Sequence, residues 1–135
     1  MDYLGRNLYW TDTFYDRIEV ARLDDPENRK VLISRGLDEP RALVLDPGEG
    51  LMFWSDWGDA ARIETAWMDG SHRSVIVDTD IGWPNGMAID VEEKKVSYEM
   101  GQTKMLVSST EGKFFRGYWG LRCFKVVNVN VQFYH

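Results

Sequence analysis

The sequence predicts an all-β fold made of consecutive propeller blades. Three observations predict it. First, Leu8-Tyr9-Trp10-Thr11-Asp12 returns 44 residues later as Met52-Phe53-Trp54-Ser55-Asp56. Second, the offset persists: Val31-Leu32-Ile33 returns as Val75-Ile76-Val77, Pro40 as Pro84 and Asp46 as Asp90. Between these, Arg17-Ile18-Glu19 and Leu23-Asp24 return as Arg62-Ile63-Glu64 and Met68-Asp69 at an offset of 45, so one residue is gained in a loop. Third, each period holds four short runs of strand character. Four strands in roughly 40–45 residues is the size of one blade, and a blade buries its faces only between neighbours.

In chain order, the first unit is expected to place strands at residues 7–12, 17–23, 29–34 and 41–46. The second places them at 51–56, 62–68, 73–78 and 86–91. Turn residues separate them: Asp24-Asp25-Pro26, Asp46-Pro47-Gly48, Trp57-Gly58, Asp69-Gly70 and Trp83-Pro84-Asn85-Gly86. Arg17-Ile18-Glu19-Val20-Ala21-Arg22-Leu23 alternates in polarity, which turns one set of side chains inward and the other outward. No stretch carries a sustained helical stripe. The expected organisation is repeat one at 6–48, repeat two at 49–92, and at 93–135 a degenerate start of a third repeat followed by unrelated sequence. The grouping gives two full four-stranded blades plus the start of a third.

The recurring motif has a structural reading. Tyr9, Trp10, Phe53 and Trp54 are large enough to fill the space between adjacent blades. Asp12 and Asp56 close their strands before tight turns, where a carboxylate accepts backbone N–H bonds from the turn. Neither aspartate is expected to be catalytic.

These residues resemble the YWTD repeat, the class B repeat of the low-density-lipoprotein receptor family. The resemblance covers residues 6–96. It rests on Tyr9-Trp10-Thr11-Asp12, Arg17-Ile18-Glu19-Val20, Leu37-Asp38-Glu39-Pro40-Arg41-Ala42, Phe53-Trp54-Ser55-Asp56-Trp57-Gly58, Ile63-Glu64, Met68-Asp69-Gly70 and Gly82-Trp83-Pro84-Asn85-Gly86-Met87-Ala88-Ile89-Asp90. Within the family the string is most similar to the Wnt co-receptor branch of the receptor-related proteins. The resemblance implies a six-bladed extracellular propeller that binds secreted protein ligands: Wnt proteins, or antagonists that present an Asn-X-Ile loop. It implies ligand contact by Arg41, Trp57, Trp83 and Asn85, with Glu39 beside them. Trp and Arg suit anchor roles, and an Asn amide pairs with another amide. Each position also has a local explanation. Trp83-Pro84-Asn85-Gly86 makes a good turn by itself, and Trp57 before Gly58 can cover a blade edge.

The period stops near Val96. The third motif would occupy Ser97-Tyr98-Glu99-Met100, where only aromatic Tyr98 corresponds. Charge changes at the same point. Residues 1–96 hold 11 basic and 20 acidic side chains, a net of −9, and residues 97–135 hold 5 and 2, a net of +3. The break points to foreign sequence, as from a splice or gene-model event, and the chain would then be a truncated product without function of its own. Within the tail, Val127, Val129, Val131 and Phe133 alternate with Asn128, Asn130 and Gln132. Such a run is either an exposed edge strand or a strand donated to the third blade.

Composition narrows the function. An acidic chain of net charge −6 lacks the clustered Lys and Arg that nucleic acid requires, and Lys94-Lys95 is too short a basic run to alter this. The single cysteine, Cys123, permits no intramolecular disulfide. Met1-Asp2-Tyr3-Leu4-Gly5-Arg6 has no apolar core of a signal peptide, and no stretch is apolar enough to span a bilayer. Placement at the extracellular face of the plasma membrane is what the resemblance implies, and it belongs to a parent receptor. His72 and His135 have no Cys or His at ligand spacing, and no phosphate loop, nucleophile elbow or calcium loop occurs. No metal, cofactor or reaction is expected. The rival class is a six-bladed lactonase-type hydrolase, which the Pro84-Asn85-Gly86-Met87 segment resembles. Asn85 would then be a metal ligand, together with carboxylates from other blades.

Overall fold

Alternating polarity and closely spaced turn residues produce short strands and no helix among the described residues of the computed structural model. Residues 1–100 are described in full, and three later strands by their backbone. The strands are β1 (Asn7–Asp12), β2 (Arg17–Arg22), β3 (Arg29–Ile33), β4 (Pro40–Asp46), β5 (Leu51–Asp56), β6 (Arg62–Trp67), β7 (Ser74–Val77), β8 (Pro84–Asp90), β9 (Lys95–Met100), β10 (Leu106–Thr110), β11 (Lys113–Gly117) and β12 (Lys125–Asn128). The first eight fall where the sequence predicts strands, to within two residues at either end. Cys123, His135 and the alternating residues beyond Asn128 lie outside the described residues.

The strands form three sheets with orders β1-β2-β3, β4-β5-β6-β7 and β8-β9-β12-β10-β11. This is an incomplete β-propeller. It corrects the expected pair of full four-stranded blades, because only the middle sheet is one. Sheet and repeat are out of phase by one strand, so that β4 closes the first sequence unit yet opens the second sheet. Only four residues join β4 to β5, so these strands fold back as an antiparallel hairpin. Six residues join β3 to β4, as six join the hairpin-paired β2 and β3, so connection length alone does not decide which strands share a sheet.

The third sheet keeps the register of the second after the motif letters are lost. Leu43 pairs with Trp54 and Asp46 with Leu51; 44 residues on, Met87 pairs with Tyr98 and Asp90 with Lys95. Tyr98 is fully buried, as Trp54 is. An aromatic ring thus suffices at that position, and residues 97–100 complete β9 instead of leaving the fold. On the far side of β9 runs β12, antiparallel, with Val127 opposite Val96. That is the donated-strand alternative for this part of the tail.

The period is also written into the backbone. Arg6, Gly50 and Lys94, spaced by 44, all have left-handed φ, at 54°, 70° and 50°. Gly36 and Asp80 repeat this at 61° and 52°, and Glu39 and Trp83 at 60° and 49°. Non-glycine residues adopt this region uncommonly, so its recurrence marks turns that the repeat requires.

The middle sheet is packed on both faces. Met52, Trp54 and Ala66 form one cluster with Ile18 and Ile33 of the first sheet, joined by Tyr9, Leu43 and Leu45. On the opposite face Ile63 packs with Tyr98 and Met100, while Leu51 and Phe53 face Ile89 and Val96. Successive residues of β5 therefore serve alternate neighbours, as strand geometry demands. Tyr9 and Trp54 fill the first interface as the motif predicts, and Phe53 lies at the second.

A buried ion network closes the first interface. The Glu64 carboxylate, 2% exposed, binds Arg62 at 2.7 Å and Arg73 at 2.6 Å. Arg73 lies over the Trp54 ring and donates to the carbonyls of Arg35 and Gly36 in the β3–β4 loop. Each unpaired alternative would leave a desolvated charge, so these partners act together.

Trp54→Ala is expected to cost about 3–5 kcal/mol, since it empties a closed interface. Trp10→Ala, at the half-buried equivalent site, is expected to cost less than half of that. Urea midpoints of the two variants measure the difference.

Candidate functional site

Four connections lie at the same end of the sheets: the β1–β2 and β5–β6 turns and the β3–β4 and β7–β8 loops. Three of them, the β3–β4, β5–β6 and β7–β8 connections, enclose a cleft of about 480 Å³. Its walls include Asp38, Glu39, Trp57, Asp59, Asp78 and Trp83.

Four of the five residues singled out in the sequence converge here. The Arg41 guanidinium lies 4.7 Å from the Trp57 ring centroid, within cation–π range. Trp57 and Trp83 follow with ring centroids 6.1 Å apart and planes inclined by 36°. Arg41 Nη2 donates to the Glu39 carboxylate at 3.0 Å. Asn85 is exposed at the start of β8, just past Pro84, and does not line the cleft.

Local sequence explains why these side chains project. Glu39 and Trp83 each precede a buried proline that begins the first strand of a sheet, and each has left-handed φ. A residue before proline is already sterically restricted, and such φ values cost about 1–3 kcal/mol each. Surrounding bonds hold the first of them in place. Glu39 N–H donates to Asp16 at 2.9 Å, and the Glu39 carbonyl accepts from Trp57 N–H at 3.1 Å. Asp38 N–H donates to Asp56 at 2.8 Å, and the Asp38 carbonyl accepts from Gly58 N–H at 2.8 Å. The Asp38 carboxylate accepts from Asp59 N–H at 2.9 Å.

The two motif aspartates diverge. Asp12 caps its own turn as expected, accepting from the N–H groups of Phe14 and Tyr15 at 3.0 Å each. Asp56 does not. Its carboxylate spans to the β3–β4 loop through Asp38 and takes Arg62 at 3.0 Å on its other oxygen. The cause is the neighbouring strand β4, which brings that loop alongside Asp56. Burial pushes the Asp56 carboxyl above its ordinary value, against the opposing pull of the Asp38 N–H and the Arg62 guanidinium.

Sequence reasoning missed the carboxylates of the cleft. Asp59 and Asp78 are exposed there, with no side-chain partner among the described residues. Asp59 had only its place after the Trp57-Gly58 turn as a signal, and Asp78 was read as the last residue of a predicted strand. For the metal-site alternative, no three His, Cys, Asp or Glu side chains converge among the described residues.

Comparison with known proteins decides the family. Its profile, the low-density lipoprotein receptor repeat class B, matches residues 6–47 and 50–91. The chain belongs to the low-density lipoprotein receptor class B repeat family. Relatives of this repeat protein include the human low-density lipoprotein receptor-related protein 5-like protein, 40% identical over 103 residues, 76% of this chain and 40% of that protein. Low-density lipoprotein receptor-related protein 5 of Mus musculus is 54% identical over 59 residues, 44% of this chain and 4% of that one. Vitellogenin receptor Yl of Drosophila melanogaster is 40% identical over 96 residues, 71% of this chain and 5% of the receptor. The class B chain thus spans at most two fifths of these relatives. Among solved structures, a chain in the crystal structure of a nidogen/laminin complex superposes with a TM-score of 0.72 at 40% identity, over 74% of this chain and 38% of that one. No helix among the described residues is long and apolar enough to cross a membrane.

Two tests probe how the class B repeat holds this face. A Cβ at Gly58 would fall 1.9 Å from the Asp38 carboxylate, so Gly58→Ala is expected to destabilise by about 1–3 kcal/mol in chemical denaturation. The second is pH. A carboxyl raised by folding contributes stability below its ordinary value of 3.8, which is lost as pH rises through the folded-state value. Asp56→Asn keeps an acceptor for Asp38 N–H and removes this titration. Stability of the natural chain relative to Asp56→Asn is therefore expected to fall as pH rises from the ordinary value of 3.8 through the raised folded-state value, read from urea midpoints.

Proposed function

We propose that the cleft and the Arg41–Trp57–Trp83 row bind a secreted protein ligand of the Wnt pathway. The chain then acts as propeller blades of a receptor-related protein at the extracellular face of the plasma membrane. The observation that carries this reading is the row itself, in which a guanidinium and two indoles line up beside an acidic cleft. Aromatic rings and arginine dominate binding energy at protein interfaces. An exposed Trp83, 61% accessible, set in left-handed backbone beside a second indole, is held ready for contact and does little for the core. The similarity to low-density lipoprotein receptor-related protein 5 supports a Wnt-pathway ligand, and the similarity to a chain solved within a nidogen/laminin complex supports protein recognition by this architecture.

The roles follow from chemistry. Trp57 and Trp83 form the apolar wall. Arg41, oriented by Glu39, offers guanidinium donors to carbonyl or carboxylate groups. Asn85, next along the chain from Pro84, pairs with an amide of the ligand. Asp59 and Asp78 complement a cationic group on the ligand. No bond is made or broken.

The test uses a folded Wnt antagonist that presents an Asn-X-Ile loop, titrated by interferometry. Trp83→Ala is expected to weaken binding by about 2 kcal/mol, roughly 30-fold. An unchanged affinity in a variant with native circular dichroism rejects the assignment.

A further inference from the structure

Phe14 and Tyr15 stand at the tip of the β1–β2 turn, 84% and 61% exposed. The fold does not require aromatic residues there. The equivalent turn of the middle sheet, 44 residues on, carries Gly58 and Asp59 at the same positions. Yet the pair is firmly held. Asp12 accepts from both backbone N–H groups at 3.0 Å. The rings meet edge to face with centroids 4.8 Å apart, and the Arg17 guanidinium covers Tyr15 at 4.6 Å. Exposed aromatics that are already ordered lose little entropy on contact, which is the property of an anchor.

The turn is also fastened to the proposed binding row. Thr11 Oγ1 donates to the Arg41 carbonyl at 2.7 Å, and Thr13 Oγ1 donates to the Pro40 carbonyl at 3.0 Å. Asp16 accepts from Glu39 N–H at 2.9 Å. Three bonds thus join the segment bearing Phe14 and Tyr15 to the segment Glu39–Arg41, and the aromatic tip continues the same face onto the first sheet.

Its chemistry differs from that of the cleft. Asp12 is engaged by the turn, Asp16 by Glu39 N–H, and Arg17 by Glu19 at 2.8 Å. The charged groups closest to the tip in sequence are therefore each held by a hydrogen bond or ion pair within the fold. What remains open is ring surface, on Phe14 above all, because Arg17 lies over Tyr15. We propose that Phe14 and Tyr15 form a second anchor of the ligand-binding face, which takes an aliphatic side chain of the same secreted protein ligand. This rests on the reading of the Arg41–Trp57–Trp83 row as that face.

The test measures affinity of the full chain for the same folded Wnt antagonist. Phe14→Ala is expected to weaken binding about tenfold, and Phe14→Leu to recover most of the loss. The ratio between natural chain and Phe14→Ala is expected to hold from low to high salt, since apolar contact is not screened. A Phe14→Ala affinity within twofold of the natural chain, while Trp83→Ala weakens binding, overturns the second anchor and leaves the row in place. If neither substitution weakens binding, the row falls and the anchor with it. Light scattering supplies a further check. If Phe14→Ala lowers the oligomeric mass of the free chain and leaves ligand affinity unchanged, the tip is a contact between copies and the proposal is overturned.

Discussion

A blade of four strands has two apolar faces and too little bulk to cover either, so every interface here depends on one alternation in β5. Met52 and Trp54 enter the cluster shared with the first sheet, while Leu51 and Phe53 face the third. Pleating turns adjacent side chains to opposite sides, so two neighbouring aromatic residues bind two different neighbours. The paired aromatics of the motif are therefore a device for joining sheets in series. This also explains why Trp10 is only half-buried although its sequence context matches that of Trp54. The face that Trp54 presents to the first sheet is, for Trp10, the outer side of that sheet.

The same joints that connect sheets create the candidate site. Each crossing from one sheet to the next ends in a proline that starts the first strand of that sheet, and the residue before it takes left-handed φ. At the first crossing this lifts Glu39 beside Arg41; at the second it exposes Trp83. The conformational cost is met by hydrogen bonds gathered from both flanking sheets, from Asp16 on one side and Asp56 with the 57–58 turn on the other. Site geometry and interface geometry are thus coupled. The Arg73 guanidinium, which spans the first interface to Arg35 and Gly36, steadies the same loop that carries Asp38 and Glu39.

Much of this was legible in sequence because short-range chemistry decided it. Strand positions followed from alternation and turns, and the grouping of Glu39, Arg41, Trp57 and Trp83 was implied by the resemblance to the class B repeat family. Three features were not legible. The phase between repeat and sheet depends on which neighbouring strands pair, and a period alone does not give the pairing. Tyr98 replaces Trp54 by shape and burial, and letter matching cannot see that. Asp56 was expected to cap its own turn because its sequence neighbours match those of Asp12. Its partner, Asp38, lies 18 residues away in sequence and is brought close by β4.

Electrostatics and aromatic contact make different contributions at the face. Arg41 and Glu39 are both more than a third exposed, and an exposed ion pair is worth only about 0–1 kcal/mol. Its contribution to the fold is therefore small. Its effect is on geometry: the carboxylate at 3.0 Å and the indole beneath at 4.7 Å fix a guanidinium that would otherwise sample many rotamers. Because Arg41 is already partnered, a ligand gains less from its charge than from the ordered plane it completes with Trp57 and Trp83. In the proposed complex, attraction for a basic ligand then falls to Asp59 and Asp78, whose carboxylates have no side-chain partner among the described residues. On the proposed reading, charge at this face steers approach and salt weakens it, whereas residence depends on the indoles, whose apolar contact salt does not screen.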